Sequence, residues 1–302
     1  MSMSVVRIPA WSTMLVGSIA AALVHYDGGA ISSNSRLLSL VKKAFVLLLV
    51  INWRALPFVW HIEFWGLIPK LYYKIWTRGP KRAMSIGKNP FEVRTLTKAR
   101  VRWSDSDYNM HMSNSSYARV ADAARFAWLL ELIGPAFGAG CWSPLASTSY
   151  TFLHEIPAGA EYEIEVKLVS YDSKWIYYVA RFTTAPRKGS TERTLNAVAL
   201  SRSCFKLRGS RISIPPARVL SYSGLGPATN YERTLQLQKN GKSRQWLQYG
   251  AESVARQSGK ELRGKTIKGE PGWDEDGMES FEAERVKGSS LAERMGDVSG
   301  LL

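Results

Sequence analysis

Asp105-Ser-Asp-Tyr-Asn-Met-His-Met-Ser-Asn-Ser-Ser-Tyr117 is the stretch on which the reading of this chain turns. Residues 105–111 gather two carboxylates, an amide and one of four histidines. An apolar β-type run, Ala99 to Trp103, precedes it. A helical pattern from Ser115 to Ile133 follows, with Tyr117, Ala121, Ala124, Trp128 and Leu132 on one face at spacings of three and four. Asn114 or Ser113 is placed to cap that helix, and Gly134-Pro135 to end it. Reactive side chains between a strand and a helix N-terminus sit where unpaired N–H groups and the helix dipole act on a ligand.

Outward from this stretch the pattern is mostly strand. Phe91 to Trp103 alternates, with Val93, Thr95 and Thr97 set against Arg94, Leu96 and Lys98. Tyr150 to His154, Glu161 to Val169, Lys174 to Thr183 and Thr194 to Leu207 read as four further strands. Residues 171–174 and 186–190 read as turns between them. One strand, one long helix, then four strands with short connections give an α+β domain in which an antiparallel sheet wraps a central helix. Its edge strands are left to pair with a second copy, so a homodimer is expected.

The flanks differ in composition. Residues 12–24 are a short apolar run that could serve as a signal-peptide core, but no convincing cleavage site follows. Leu37 to Trp76 is rich in Leu, Val and Trp, but its purest part, Ala44 to Ile51, is too short to span a bilayer. Trp53, Trp60, Trp65, Tyr72, Tyr73 and Trp76 are mixed with Lys42, Lys43, Arg54, Lys70 and Lys74. That mixture suits a membrane interface; the alternative is an extra layer packed on the main domain. Residues 1–76 are therefore read as a hydrophobic helical segment on a membrane, 77–90 as a basic linker, 91–216 as the central domain and 217–302 as a polar, partly helical, largely disordered tail. Trp273 and Phe281 stand isolated in that tail.

The 302 residues carry a formal charge of +15, which favours phosphorylated ligands, nucleic acid or anionic lipid. No zinc spacing and no nucleic-acid motif is present, so no metal, cofactor or nucleic-acid partner is expected. Two cysteines, Cys141 and Cys204, cannot build a disulfide framework, and the chain reads as intracellular, on the cytosolic side of a membrane.

Asp107, Asn109 and His111 are the chemical candidates. A carboxylate can attack or activate water, a histidine exchanges protons near neutrality, and an amide or helix-start N–H can polarise a carbonyl. These are parts for acyl transfer to water. No Gly-x-Ser-x-Gly elbow is present, and neither cysteine sits in such a cluster. Asp-x-Asp followed by Asn and Ser is also ordinary turn and capping chemistry.

The spacing Asp-x-Asp-x-Asn-x-His-x-x-Asn-x-x-Tyr resembles the signature of hot-dog acyl-ACP thioesterases. With the following Ala-Asp-x-Ala-Arg and the later strands, residues 90–210 look still closer to hot-dog proteins of the thioesterase superfamily member 6 type, which also carry an N-terminal hydrophobic segment. The resemblance implies a hot-dog fold and hydrolysis of an acyl thioester of coenzyme A or acyl-carrier protein. Asp107 matches the family's nucleophile or base, Asn109 and His111 the other polar positions, and Asn114 and Tyr117 structural positions at the helix start. Ser113 departs from the first Asn of the family's Asn-Asn pair. An acyl-binding or scaffolding protein without turnover, a dehydratase-type reaction, or a pathway-specific enzyme acting on a carrier-bound polyketide are the alternatives.

Overall fold

The computed structural model describes residues 4–7, 34–53, 56–187, 189, 191–209, 213–257, 268–273 and 277–296. The apolar run at 12–24 and Arg54 lie outside them. In chain order the elements are β1 (Ser4–Arg7), α1 (Asn34–Ile51), α2 (Val59–Trp65), α3 (Leu67–Arg78), α4 (Pro80–Ala83), β2 (Arg94–Arg100), α5 (Asn114–Gly138), β3 (Cys141–Trp142), β4 (Leu145–Phe152), β5 (Glu161–Tyr171), β6 (Trp175–Thr184), β7 (Thr194–Leu207), β8 (Ser213–Ile214), α6 (Pro216–Tyr222), α7 (Ala228–Lys239), α8 (Ser243–Gln257) and α9 (Glu282–Gly296).

The main sheet runs β1-β2-β5-β6-β7, with β4 antiparallel on β7; only the β1–β2 pairing is parallel. Thr95 and Thr97 of β2 point inward, opposite Val166 and Ile164 of β5. Tyr162, Ile164, Val166 and Leu168 alternate inward along β5 against outward Glu161, Glu163 and Glu165. This period of two is the signature of a sheet with one buried face. The buried face closes on α5, whose Tyr117, Ala121, Ala124, Trp128 and Leu132 are at most 2% exposed. Two alanines on that stripe let the sheet approach. Tyr117 packs edge-on to Phe182 at 4.9 Å, and Trp128 lies 5.0 Å from Tyr178. The fold is a hot-dog: an antiparallel sheet wrapped around one long helix.

Two local expectations change. The long helical stretch ends at Ile133, which leaves helical geometry just before Gly134-Pro135, but a further helical turn carries α5 on to Gly138. Pro135 stands in the first turn after the kink, where its missing N–H costs no intrahelical bond. The third strand begins earlier than expected, at Leu145, and a register shift between Leu145 and Ser147 fits it to β7.

The N-terminal helices use a second face of α5. Leu67 and Leu71 are buried against Ala127 and Leu130, and Phe64 stacks on Phe126 at 4.0 Å. Lys74 Nζ reaches Glu131 Oε1 at 2.8 Å, while Thr95 Oγ1 donates to Glu131 Oε2 at 3.0 Å, so one buried carboxylate ties α3, α5 and β2. Residues expected to be a linker lie against the domain: Ala83 and Ser85 are buried, and Ser85 N–H donates to Glu131 O. The remaining N-terminal surface is apolar and open, including Leu40, Phe45, Leu47, Leu48, Trp65, Tyr72 and Trp76. Among the described residues no helix is long and apolar enough to cross a membrane.

The described parts of the C-terminal region pack on the domain, where a disordered tail was expected. Trp246 and Leu247 are wholly buried in the main core, with Tyr222 beside Trp246. Arg218, over the Trp246 ring at 3.8 Å, donates to Trp246 O at 3.0 Å and Trp273 O at 2.7 Å. Trp273 is thus a core residue, and Phe281 packs against the same cluster. Helix α9 lies on β5 through Ser170 Oγ, which donates to Arg285 O at 2.7 Å. Gly288 makes that approach possible, because a Cβ there would run into the Val169 carbonyl. Composition alone missed this because few apolar residues, well separated in sequence, do the packing.

Trp246→Ala is expected to destabilise the whole domain by about 3–5 kcal/mol, the usual loss for a buried aromatic. Chemical denaturation monitored on the sheet should show it; an unchanged midpoint would mean the C-terminal helices are an independent appendage. A second expectation concerns alkaline pH. Burial pushes the Tyr117 hydroxyl up to about 12, helped by the nearby Glu155, and pushes the Cys141 thiol up to about 12. The unfolded chain releases these protons near the ordinary 10.0 and 9.0, so it binds fewer protons than the folded chain in the window above. Stability is therefore full below pH 9 and falls as pH rises toward 12. Cys141→Ala should flatten the melting-temperature profile from pH 9 to 12, and Tyr117→Phe from pH 10 to 12.

Candidate active site

The loop between β2 and α5 is built around Asp105. Its side chain is wholly buried, accepts the Arg102 N–H at 3.2 Å on Oδ2, and meets Arg119 Nη2 of α5 at 2.5 Å on Oδ1. Its carbonyl accepts the Ser113 N–H at 2.9 Å, which fixes the residue at the N-cap of α5. The Ser113 side chain makes no cap bond; its Oγ lies 3.0 Å from Ser115 Oγ instead. Asp105 therefore joins both ends of the loop to the helix.

Within that frame residues 107–111 close a tight turn. The Asp107 N–H donates to His111 O at 2.9 Å, and Ser106 bridges to Met112. Asp107 Oδ1 accepts the Asn109 N–H at 2.9 Å and the His111 N–H at 3.4 Å. Both bonds fall on Oδ1. Met110 adopts the left-handed conformation with φ 63°, uncommon for a side chain of its size and often found at functional turns. Tyr108 at the tip is 93% exposed.

The β4–β5 connection docks on this turn. Met112 N–H donates to Ile156 O and Ala158 N–H to Met110 O, both at 2.8 Å. The docking carries Glu155 to His111, with Oε2 3.2 Å from Nε2. This carboxylate lies 44 positions beyond its histidine, and a lone Glu after a strand gives no local signal; only the returning connection brings it in.

Asn109 and His111 line a cavity of ≈ 940 Å³. Met110, Pro157, Ala158 and Gly159 continue its wall, residues 100–103 form a second side, and Val50, Ile51 and Trp53 at the end of α1 form a third. Asp107 is not among the lining residues. The structure thus sets Asn109 and His111 on a common surface and places Asp107 in the turn beneath them. The contribution of α1 was not legible in the sequence, which offered residues 1–76 only as a membrane segment or a covering layer. Among the described residues no group of three His, Cys, Asp or Glu is placed to hold a metal ion.

Chemically, the loop offers a carboxylate held by backbone N–H groups, a histidine with a carboxylate partner, an exposed amide and the first turn of a helix. The Ser116 N–H of that turn donates to Ser113 O at 2.8 Å, and the turn carries the positive end of the helix dipole. Such a set can move a proton and stabilise negative charge growing on a carbonyl oxygen.

Residues 101–221 match the model of the thioesterase-like superfamily. The chain is 27% identical over 225 residues to a probable thioesterase, atnL, of Emericella nidulans, an overlap of 62% of this chain and 72% of that protein. It is 29% identical over 117 residues to protein THEM6 of Danio rerio, 38% of this chain and 55% of that one. Among solved structures it is similar to 4-hydroxybenzoyl CoA thioesterase from Pseudomonas sp. strain CBS-3, at 16% identity, 46% of this chain, 97% of that chain and a TM-score of 0.36. The matched segment includes the 105–117 loop, α5 and strands β3 to β8. Over residues 101–221 the chain is therefore similar to the thioesterase-like superfamily.

Proposed function

We propose that this chain hydrolyses an acyl thioester to the free acid and the thiol, and that Asp107, Asn109 and His111 carry the reaction. The observation that supports this most is the 107–111 turn itself, in which one carboxylate oxygen is held by two N–H groups while His111 and Asn109 face a cavity. Asp107 acts through Oδ2, either as the base that takes a proton from the water adding to the thioester carbonyl, or as nucleophile, in which case the acyl-aspartyl anhydride left after loss of the thiolate is hydrolysed by water to the free acid and Asp107. Asn109 and the first N–H groups of α5 stabilise the oxyanion. The tetrahedral intermediate collapses with loss of the thiolate, which takes a proton from His111; Glu155 holds the imidazole in place. Coenzyme A and acyl-carrier protein are the carriers considered, and a carrier-bound polyketide is compatible with the same chemistry.

Two features of the assembly belong to this reading. Among the described residues β4 pairs only with β7, and it leaves Leu145 and Phe152 exposed on a sheet edge. We assign that edge to a homodimer contact, because an open apolar edge is a template for another strand. The exposed apolar and aromatic surface of α1–α3 is interleaved with Lys42, Lys43, Lys70 and Lys74, and Glu63 is the one acidic residue between positions 34 and 83. We assign it to the cytosolic surface of an anionic membrane. Flotation with phosphatidylserine vesicles should carry the full chain and leave a form lacking residues 1–76 behind.

Thiol release from short, medium, long and aromatic acyl thioesters tests the activity. Turnover is expected on at least one, with Asp107→Ala and His111→Ala lowering kcat by about 10²–10⁴ and Asn109→Ala by about 10²–10³. No turnover across the panel, with acyl ligands still bound, would make the protein a binding module. Full activity in Asp107→Ala would remove that residue from the mechanism.

A further inference from the structure

We propose that the end of α1 completes the site with a phosphate-binding subsite, in which Trp53 holds the Arg102 guanidinium against the cavity lined by Asn109 and His111. The inference rests on the thioesterase reading and names the part of the substrate that this wall receives: the phosphorylated arm of the carrier. Trp53 follows a helix whose apolar residues are largely exposed, yet it is itself only 3% exposed. The Arg102 guanidinium lies 4.9 Å from its ring centroid, within cation–π range. Both residues line the cavity.

The charge of this wall is one-sided. Among the described residues the ionisable side chains lining the cavity are Arg100, Arg102 and His111, with no Asp or Glu in the lining. Four carboxylates stand just outside, each held by a neighbour: Asp105 by the Arg102 N–H, Asp107 by the Asn109 and His111 N–H groups, Glu155 at 3.2 Å from His111, and Glu161 at 2.7 Å from Arg100. The Arg100–Glu161 pair is largely solvent-exposed on both sides, where an ion pair contributes little. Asp105 receives the Arg102 main-chain N–H. A guanidinium fixed by stacking offers its planar fork to a phosphate at little further cost in order. The cavity volume of ≈ 940 Å³ is at the upper end of small-molecule sites, roughly 300–1,000 Å³, and has room for a pantetheine arm with its phosphate. Trp53 acts through Arg102 and is a positioning residue.

The test compares three thioesters of the same acyl group on the full chain: the coenzyme A ester, the 4′-phosphopantetheine ester, and the N-acetylcysteamine ester, which has no phosphate. In Arg102→Gln the ratio of kcat/KM for the phosphorylated esters to that for the N-acetylcysteamine ester should fall about tenfold, mostly through KM. Trp53→Ala should lower the same ratio, and Arg102→Lys should recover part of it. A loss restricted to coenzyme A assigns the subsite to the nucleotide phosphates. An equal loss on both phosphorylated esters assigns it to the pantetheine phosphate, which a carrier protein shares. A ratio unchanged in Arg102→Gln overturns the proposal even if Trp53→Ala does not fold. Calorimetric binding of coenzyme A and of 4′-phosphopantetheine separates this from the thioesterase reading. Binding that weakens about tenfold in Arg102→Gln, in a protein that hydrolyses none of the esters, would keep the subsite and remove the hydrolase. Absence of binding of either to the wild type would overturn the subsite.

Discussion

The buried pair between Asp105 and Arg119 is the constraint on which the candidate site depends. A carboxylate with no solvent exposure is tolerated only when its charge is matched and its oxygens are hydrogen-bonded. Arg119 supplies the charge from the second turn of α5, and the Arg102 N–H supplies the other bond. Removing one partner of a buried pair costs about 3–5 kcal/mol, and Arg119 is 32% exposed, so the loss here falls to about 2 kcal/mol. The consequence is geometric more than energetic. The strand end, the 107–111 turn and the first turn of the helix become one unit, so that the reacting groups from Asp107 to His111 keep a fixed relation.

That unit is rigid because α5 is covered on two sides. The sheet closes on the stripe from Tyr117 to Leu132, and α2–α3 close on Ala127 and Leu130. Glu131 connects the two coverings through Lys74 and Thr95. A loop on such a helix can be polar and partly exposed, with Met110 in a left-handed conformation, without loss of the fold around it. Just before the helices that cover α5, the same N-terminal segment supplies Val50, Ile51 and Trp53 as one wall of the cavity.

Periodicity made the hot-dog fold legible. Tyr117, Ala121, Ala124, Trp128 and Leu132 announced a buried face, and Thr194 to Leu207 proved to be a strand over its full length. What escaped the sequence depends on chain returns across long separations. Glu155 reaches His111 only because the β4–β5 connection docks on the motif. Trp53 reaches Arg102 only because α1 ends beside β2. Trp246 and Trp273 are anchors in polar surroundings, and a window average dilutes one large buried side chain among many charged neighbours. The Gly134-Pro135 stop was legible as the break at Ile133; the further helical turn to Gly138 was not.

The account holds that the Asp105–Arg119 clamp keeps the 107–111 turn competent for thioester hydrolysis. A double-mutant cycle of Asp105→Asn and Arg119→Gln, read in kcat for thiol release on folded protein, tests this most directly. Each single change is predicted to lower kcat at least tenfold, and the double variant to be no worse than the poorer single. Wild-type kcat in folded Asp105→Asn, or losses that simply multiply in the double variant, would contradict it.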